Sequence, residues 1–273
     1  MCERNEDGNI LTSGLRRVLG ACWILVLWHS VAIASPTLDN ETLGYGLSGL
    51  LAGTGIALPY LFVDEGTPAC GTCDPYDIPG FDRWASGSYN ADANALSHSS
   101  LAFSLGVPVA NVSARLPGQD SRKEALILTQ SLSTTFFTTQ IIKVAFQRAR
   151  PFTYSDTLHG QGPSPTGRDA RMSFPSGHTS MAFAGLVTTA ALRTAGASTK
   201  EKVGWYGGAV ALGSLTGALR IVAGKHYWTD VLGGALLGTG IGLLLPWLHQ
   251  SSGSGGEQKQ SIAMPLMSFS GAL

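Results

Sequence analysis

The chain has 273 residues, no formal net charge at pH 7 and 13% charged residues, whereas soluble domains usually carry about 25%. The balanced charge argues against a nucleic-acid partner, which would require a basic surface. The low charge, together with a hydrophobic fraction of 44% and 35 glycines, is typical of a helical membrane protein.

The first 34 residues are typical of a targeting segment. Arg16 and Arg17 precede an apolar stretch, and Ala32-Ile33-Ala34 offers small residues at the offsets of a signal-cleavage site. Residues 1–34 are therefore interpreted either as a cleaved signal peptide or as an uncleaved N-terminal anchor. At the other end, residues 250–273 are polar and rich in glycine and serine, and we expect a disordered tail there.

Six further stretches lack Asp, Glu, Lys and Arg and approach the length of a bilayer crossing. They cover residues 44–63, 95–112, 125–142, 179–192, 203–219 and 231–248. The fourth stretch is short for a full crossing. The pattern predicts an all-α fold, a polytopic membrane bundle of about six transmembrane helices, within one domain over residues 35–249.

Three polar clusters interrupt these stretches, at residues 143–151, 175–178 and 220–230. If each stretch crosses the membrane once, alternation puts all three clusters on one face. The opposite face receives six cations, Arg115, Arg122, Lys123, Arg193, Lys200 and Lys202. The positive-inside rule makes that face cytoplasmic, so the clusters are expected on the extracytoplasmic, periplasmic side. A cleaved signal would leave Ser35 outside, whereas this alternation needs residue 44 to start inside. Either the signal is not cleaved and one early stretch does not span the membrane, or residues 44–63 only dip into the bilayer.

The first cluster contains two cations that a helix would present together. Lys143 and Arg150 are seven residues apart, which is roughly two helical turns. Pro151 disfavours helix at the residue before it. We therefore expect the helix to end near Arg150 and its guanidinium to turn into a pocket.

The second cluster, Pro175-Ser176-Gly177-His178, precedes an apolar stretch and predicts a turn that leads into a helix. Backbone N–H groups at a helix N-terminus favour an anion, and Gly177 permits a ligand to approach the backbone closely. Ser176 is expected either to cap the helix or to donate a hydrogen bond to a phosphate oxygen.

The third cluster contains His226 and Asp230, four residues apart, so that on a helix they share a face. Asp230 can then orient the imidazole as a base or nucleophile. A metal pair has the same spacing, but Lys143, Arg150 and Arg220 would repel a divalent cation. Three cations suit a tetrahedral anion instead, so no metal or other cofactor is expected.

Several other polar residues receive a structural interpretation. A solvated or capping position is expected for His98, a surface position for Arg148 and a solvated position for Lys225. His159, Arg168 and Arg171 are expected to be solvated loop residues, with contact to substrate as the alternative. A local ion pair at the membrane surface is expected for Asp82 and Arg83. Residues 152–173 are expected to form the mouth of the site.

Cys70 and Cys73 form a single C-x-x-C pair. A zinc site would need a second pair, and a thioredoxin-like site would need βαβ units around it. A structural disulfide is therefore the preferred interpretation, with two free thiols as the alternative.

The three clusters resemble the signature motifs of a known superfamily. Lys143-x6-Arg150-Pro151, Pro175-Ser176-Gly177-His178 and Arg220-x5-His226-x3-Asp230 are similar, in order and spacing, to the motifs of type 2 phosphatidic acid phosphatases. That superfamily also includes bacterial acid phosphatases and vanadium-dependent haloperoxidases. The motif core covers residues 125–248, and Leu219 stands where the third motif usually has serine.

The resemblance implies a role for each matching residue. His226 would form a phosphohistidine, Asp230 would orient it, and His178 would protonate the leaving oxygen. The phosphate would be bound by Lys143, Arg150, Ser176, Gly177 and Arg220. The resemblance thus implies a metal-independent phosphatase with a phosphatidic acid phosphatase-like or haloperoxidase-like core.

The preferred interpretation is a membrane phosphatase that acts on a lipid phosphomonoester or diphosphate. An exported soluble acid phosphatase of broad specificity is an alternative, because a cleavage site follows Ala34. A vanadate-dependent haloperoxidase would have the same site. A non-catalytic lipid-binding protein would be consistent with Leu219. The oligomeric state stays open.

Overall fold

The computed structural model describes residues 40–66, 68–70, 73–116, 118–155 and 162–252. The predicted targeting segment over residues 1–34 lies outside the described residues, as do His159 and most of the predicted tail.

Within these ranges the fold is all-helical and contains no strand, which confirms the predicted class. The α-helices are α1 (Glu41–Phe62), α2 (Gly80–Arg83), α3 (Ala91–Ser113), α4 (Gln119–Phe146), α5 (Gly177–Arg193), α6 (Thr199–Val222) and α7 (Trp228–Ser252). Short 3₁₀ turns cover Pro75–Asp77, Pro151–Tyr154 and Arg168–Arg171. Each of the six apolar stretches falls on one of the six long helices.

The long helices begin at residues whose side chains satisfy free backbone N–H groups. Asn40 and Asn90 each accept a backbone N–H from three residues further along. Ser198 and Glu201 form a reciprocal capping box at the start of α6. The sequence therefore determines where α1, α3 and α6 start.

Two stretches of the described chain are long and apolar enough to cross a membrane, Glu41–Phe62 and Trp228–His249. The remaining long helices are less apolar or shorter: α5 has 17 residues, and Ser, Thr and Gln lower the hydropathy of α4. A bundle of about six transmembrane helices is therefore not confirmed and stays a prediction.

Helix α5 is the centre of the bundle, since it packs against α3, α4, α6 and α7 and most of its side chains are buried. Its contact with α7 is close because three glycines of α7, Gly234, Gly238 and Gly242, face it. A Cβ on Gly238 would lie 2.2 Å from the carbonyl oxygen of Ser180, and one on Gly234 would lie 2.6 Å from that of Ser176. Small residues at such an interface let two backbones approach closely, which brings the N-terminal ends of α5 and α7 together.

The two ends of the bundle have different polar groups. The three clusters lie at one end, where α4 and α6 finish and α5 and α7 begin. At the other end, Glu124 in α4 pairs with Arg115 after α3 and with Arg193 in the last turn of α5. The three clusters thus share one end of the bundle, as expected, whereas the membrane topology stays a prediction.

Candidate active site

The three polar clusters meet around the imidazole of His226. Nη1 of Arg150 lies 3.0 Å from Nε2 of His226. Lys143, in the last turn of α4, donates through Nζ to the carbonyl oxygen of Met172. The three predicted phosphate-binding cations, Lys143, Arg150 and Arg220, are all buried, and the charge of each acts on His226. The fold thus concentrates positive charge at one imidazole.

A tight turn between α6 and α7 positions His226. Gly224 has φ of +67°, in the left-handed region that favours glycine, and a Cβ there would lie 1.8 Å from the carbonyl oxygen of Ser88. The backbone N–H groups of Lys225 and His226 both donate to the carbonyl oxygen of Arg220, at 3.1 and 3.3 Å. The turn therefore ties the imidazole to the end of α6.

Asp230 lies beside His226, but other donors hold its carboxylate. Its Oδ2 accepts from Ser173 Oγ at 2.5 Å and from the backbone N–H of Tyr227 at 2.9 Å. The distance from His226 Nδ1 to Asp230 Oδ2 is 3.6 Å, longer than a hydrogen bond. Since Nε2 accepts from Arg150, the proton of a neutral His226 belongs on Nδ1, the nitrogen that faces Asp230.

The second motif forms the start of α5, as its sequence predicted. Ser176 is the N-cap residue, and its Oγ accepts from Thr179 N at 3.5 Å and from Thr179 Oγ1 at 2.9 Å. Because Oγ is the acceptor in both bonds, neither uses the hydrogen of its own hydroxyl. Gly177 is the first residue of α5, and a Cβ there would lie 3.7 Å from Cε of Lys143. The N-terminus of α5 therefore opens toward the cations.

Arg220 is held by a helix that the motifs do not include. Its Nη1 donates to Oδ1 of Asn94 at 2.8 Å and to Oγ of Ser97 at 3.0 Å, both on α3. Its Nε is buried and has no hydrogen-bond partner among the described residues. A buried guanidinium N–H without an acceptor is costly, and a bound anion would satisfy it.

His178 contacts a second histidine. Its Nε2 lies 2.9 Å from Nδ1 of His98 on α3, and the rings meet edge to face with centroids 4.7 Å apart. His98 is solvent-exposed, as expected, but its ring nitrogen is engaged with the predicted acid. Nothing in the local sequence around His98 indicates this contact.

The expectation of a solvated Arg148 is wrong. Its Nη1 donates to Oδ1 of Asp230 at 2.6 Å and to Oγ1 of Thr229 at 2.8 Å, while Nη2 donates to Oδ2 of Asp82 at 2.7 Å. Its guanidinium also stacks over the ring of Tyr227, 4.1 Å from the centroid. Arg148 therefore joins two buried carboxylates, one of which lies beside His226.

The predicted ion pair between Asp82 and Arg83 is also wrong. The Asp82 side chain is fully buried and pairs with Arg148, whereas Arg83 donates to the carbonyl oxygens of Pro75, Tyr76 and Ile78. Adjacent residues on a helix point in different directions, so sequence adjacency was a poor guide to this contact.

Lys225 was expected to be solvated, and this is wrong as well. Its side chain is buried against Phe152, with Nζ 4.7 Å from the ring centroid, and it pairs with Asp169 at 3.3 Å. Asp169 also accepts from Nη2 of Arg150 at 2.5 Å. A carboxylate from the 3₁₀ turn thus balances part of the positive charge at the mouth of the site.

Arg168 and Arg171 connect the same turn to the segment after α1. Arg168 pairs with Glu65 at 2.6 Å and donates to the carbonyl oxygen of Val63. Arg171 donates to the carbonyl oxygen of Pro68 at 2.8 Å. Both residues connect this turn to that segment, and both remain partly exposed, as expected of loop residues.

Burial and the charges around the site shift the pKa values of its ionisable side chains. Burial, reinforced by Arg150, Lys143 and Arg220, holds the pKa of His226 well below its ordinary value, so the imidazole is neutral at pH 7. Burial, with Arg220 as the next cause, lowers the pKa of His178 to about 3. Burial would raise the pKa of Asp169, but the charges of Arg150 and nearby lysines outweigh it and the pKa lies below its usual range. Burial, reinforced by Arg150, also lowers the pKa of Lys143 well below its ordinary value. The unliganded site therefore contains neutral imidazoles beside the guanidinium groups of Arg150 and Arg220.

Cys70 and Cys73 are joined as a disulfide, with their Cα atoms 4.9 Å apart. The Sγ atom of Cys70 lies near Thr153, in the 3₁₀ turn that follows Arg150. The disulfide thus lies beside the 3₁₀ turn that follows Arg150, and it does not touch His226 or His178.

Comparison with known proteins points to the same part of the chain. The sequence profile of the PAP2 superfamily matches residues 124–254. A PA-phosphatase related-family protein of Dictyostelium discoideum is 30% identical over 142 residues, which are 49% of this chain and 51% of that protein. The chain thus spans about half the length of this curated relative. No solved structure matches. Residues 124–254, which carry all three motifs, therefore form a PAP2 superfamily domain.

Proposed function

We propose that this protein is a metal-independent phosphatase that hydrolyses a phosphomonoester or diphosphate of a lipid through a phosphohistidine on His226. One observation carries the proposal: Nε2 of a buried, neutral imidazole lies 3.0 Å from Arg150 Nη1, and three buried cations act on that ring. A neutral imidazole nitrogen is a nucleophile, and the cations match the charge of a phosphoryl group.

The phosphate binds between the cations and the start of α5. Arg150 and Arg220 supply guanidinium donors, Lys143 supplies an ammonium group, and Gly177 supplies a backbone N–H at a helix N-terminus. The buried Nε of Arg220, which has no acceptor among the described residues, gains one from a phosphate oxygen. These donors stabilise the charge that develops on the phosphoryl oxygens in the transition state.

In the first chemical step, Nε2 of His226 attacks phosphorus and the bond from phosphorus to the leaving oxygen breaks. Asp230 stabilises the positive charge that forms on the imidazole, through the nearby Nδ1–H. The leaving oxygen takes a proton from His178 and departs as an alcohol or as a phosphate. For this, His178 must first be protonated, and the negative charge of a bound phosphate raises its pKa by offsetting Arg220 and Arg150.

In the second step, water attacks the phosphohistidine and the bond between phosphorus and Nε2 breaks. His178, now neutral, takes a proton from this water. Inorganic phosphate leaves, and His226 returns to its neutral state with the proton on Nδ1. Arg150, Lys143 and Arg220 stabilise both transition states, so neither step requires a metal ion.

A membrane location is supported by the helices and by aromatic side chains at the site end of the bundle. The stretches Glu41–Phe62 and Trp228–His249 are long and apolar enough to cross a bilayer. Four exposed aromatic residues lie on elements that end or begin beside the site, Phe81, Trp84, Phe146 and Trp228. Aromatic side chains concentrate at membrane–water interfaces, so a lipid headgroup can enter the site while its chains stay between helices.

We also propose that the site faces the periplasm or an equivalent extracytoplasmic space. The supporting observation is the charge at the opposite end of the bundle, where Arg115 and Arg193 flank Glu124 and Lys200 and Lys202 begin α6. Cysteine labelling from each side of sealed vesicles measures this orientation. Labelling of a cysteine at position 200 from the outside only would contradict it.

Phosphate release from lipid and water-soluble phosphates by detergent-purified protein tests the proposed activity. We expect release from lipid substrates, inhibition by vanadate, and an acid-labile phosphate on the peptide that contains His226. Release from water-soluble esters alone, by a protein that salt extracts without detergent, would instead indicate the exported acid phosphatase. Vanadate-dependent halide oxidation would indicate a haloperoxidase, and lipid binding without phosphate release a non-catalytic protein.

A further inference from the structure

Helix α3 lies outside the matched residues 124–254 but contributes a row of side chains to the site. Asn94 and Ser97 bond Arg220, and His98 bonds His178 at 2.9 Å. Residues at spacings of three and four share a face of a helix. The backbone N–H of Asn90, the N-cap of α3, also donates to the carbonyl oxygen of Ala223 at 3.4 Å, which anchors the start of this row beside the turn that carries His226.

The contact between the two histidines restricts which nitrogen of His178 can donate a proton to a substrate. An imidazole has two nitrogens, and Nε2 of His178 is engaged with Nδ1 of His98. The remaining nitrogen is Nδ1. When His178 carries both protons, Nε2–H can donate to the lone pair of His98 Nδ1, and Nδ1–H is the proton that can be transferred.

We propose that His98 is the positioning residue of His178: it accepts the Nε2–H bond, orients the ring and presents Nδ1 to the leaving oxygen. This inference rests on the proposed function. During phosphoryl transfer the Nδ1 proton of His178 moves to the leaving oxygen as the phosphorus–oxygen bond breaks. The attacking water later returns a proton to the same Nδ1, and the bond between Nε2–H and His98 persists throughout.

The groups around His98 favour a neutral ring, which can accept a hydrogen bond from His178. The charged and titratable groups that face it are Arg220 on α6, Lys225 in the turn before α7, Asp169 in the 3₁₀ turn, and His178 on α5. Arg220 and Lys225 are cations, and their charge favours a neutral His98 ring, although Asp169 opposes this. A neutral imidazole has one nitrogen that can accept a hydrogen bond.

The test compares leaving groups in two His98 variants. An alkyl phosphate needs a general acid, whereas p-nitrophenyl phosphate has a leaving group that departs without one. His98→Ala should lower kcat for the alkyl ester by about 10- to 100-fold, part of the contribution expected from a general acid. It should lower kcat for the aryl ester by less than about threefold on the same basis, with KM nearly unchanged for both. His98→Asn, whose Oδ1 can replace Nδ1 as acceptor, should restore most of the activity on the alkyl ester.

Ser100→Ala is the matched control. Ser100 is on the same helix and bonds Oγ1 of Thr216 on α6 at 2.8 Å, so this change weakens helix packing without touching His178. It should leave the ratio of the two kcat values unchanged. The proposal would be overturned if His98→Ala lowered kcat equally for the two esters, or if that variant kept full activity on both.

A measurement that does not depend on turnover can test the role of His98 even if the proposed activity is absent. If the wild type releases no phosphate from any ester, the proposed function fails. The ¹⁵N chemical shifts of His178 still report which nitrogen carries its proton. We expect the shift of Nε2 to change in His98→Ala and to return toward the wild-type value in His98→Asn, whereas identical His178 shifts in all three proteins would contradict the positioning role.

Discussion

The described residues before 117 and the PAP2 domain over residues 124–254 contribute to the site in different ways. The domain supplies all the residues of the three motifs, including His178, His226 and Arg220. The earlier region supplies their partners: Asp82, Asn94, Ser97 and His98 each bond a residue of the domain. The proposed reacting groups are thus concentrated in one part of the chain, while some of the groups that hold them in place come from another.

The strongest test of this division is His226→Ala, which removes the proposed nucleophile from the domain. We expect a loss of turnover of about 10⁴-fold or more, because removing the nucleophile of a covalent enzyme costs about 10⁶-fold in a well-studied case. Phosphate release and the acid-labile phosphate label measure it. Activity within a few-fold of the wild type would mean that the domain does not react through His226.

Arg148→Ala removes one of the connections between the two regions. It leaves the buried carboxylates of Asp82 and Asp230 without their ion-pair partner, and breaking a buried pair costs about 3 kcal/mol or more. Thermal unfolding in detergent should show a large drop in Tm, and activity should fall because Asp230 moves.

Arg83→Ala is the control for Arg148. Arg83 follows Asp82 directly and donates to three carbonyl oxygens within eight residues of it. Among the described residues, its loss leaves no buried carboxylate without an ion-pair partner, so the drop in Tm should be smaller than for Arg148→Ala. Similar Tm values for the two variants would argue against the connecting role of Arg148.

Gly238→Ala tests how tightly the interior of the domain is packed. The new Cβ would lie 2.2 Å from the backbone oxygen of Ser180, so α5 and α7 must separate, at a cost of about 1–3 kcal/mol. Gly53→Ala on α1 and Gly240→Ala on α7 are controls, because nothing lies within 4 Å of a Cβ at either position. Both should match or slightly exceed wild-type stability, since alanine favours helix by up to about 1 kcal/mol.

Among the substitutions at the site, the smallest expected effect comes from Asn94→Ala in the earlier region. Arg220 loses one of its two acceptors on α3, and a single hydrogen bond to a charged group is worth about 1.5 kcal/mol or more. We expect kcat/KM to fall by about tenfold, with a smaller change in Tm than Arg148→Ala causes. An unchanged kcat/KM would mean that Ser97 alone positions Arg220, and the double variant with Ser97→Ala would then reveal the loss.

Much of the site could be predicted because its information is local. The spacing of Lys143 and Arg150, the turn before α5 and the pair His226 and Asp230 all follow from helix geometry and helix termini. The all-helical fold followed from apolar stretches of helical length. These features depend on residues that are close along the chain, which is why they can be recognised without coordinates.

The contacts that could not be predicted share one physical cause. Nothing next to His98, Arg148 or Lys225 in the sequence indicates the residue that each one contacts. Their partners are 80 residues away for His98, 82 and 66 for Arg148, and 56 for Lys225. A charge is stable in a buried position only when it is paired, and the sequence does not state which distant residue provides the pair.

By itself, the sequence determined the helical class of this protein, the starts of several helices through their capping residues, and the residue types and spacings of the three polar clusters. Only the tertiary structure decided that α3 completes the site, that Arg148 joins two carboxylates, and that Asp230 lies 3.6 Å from the His226 ring nitrogen while bonding other donors. Helix formation and capping depend on neighbours along the chain, whereas the pairing of buried polar groups depends on how the helices pack.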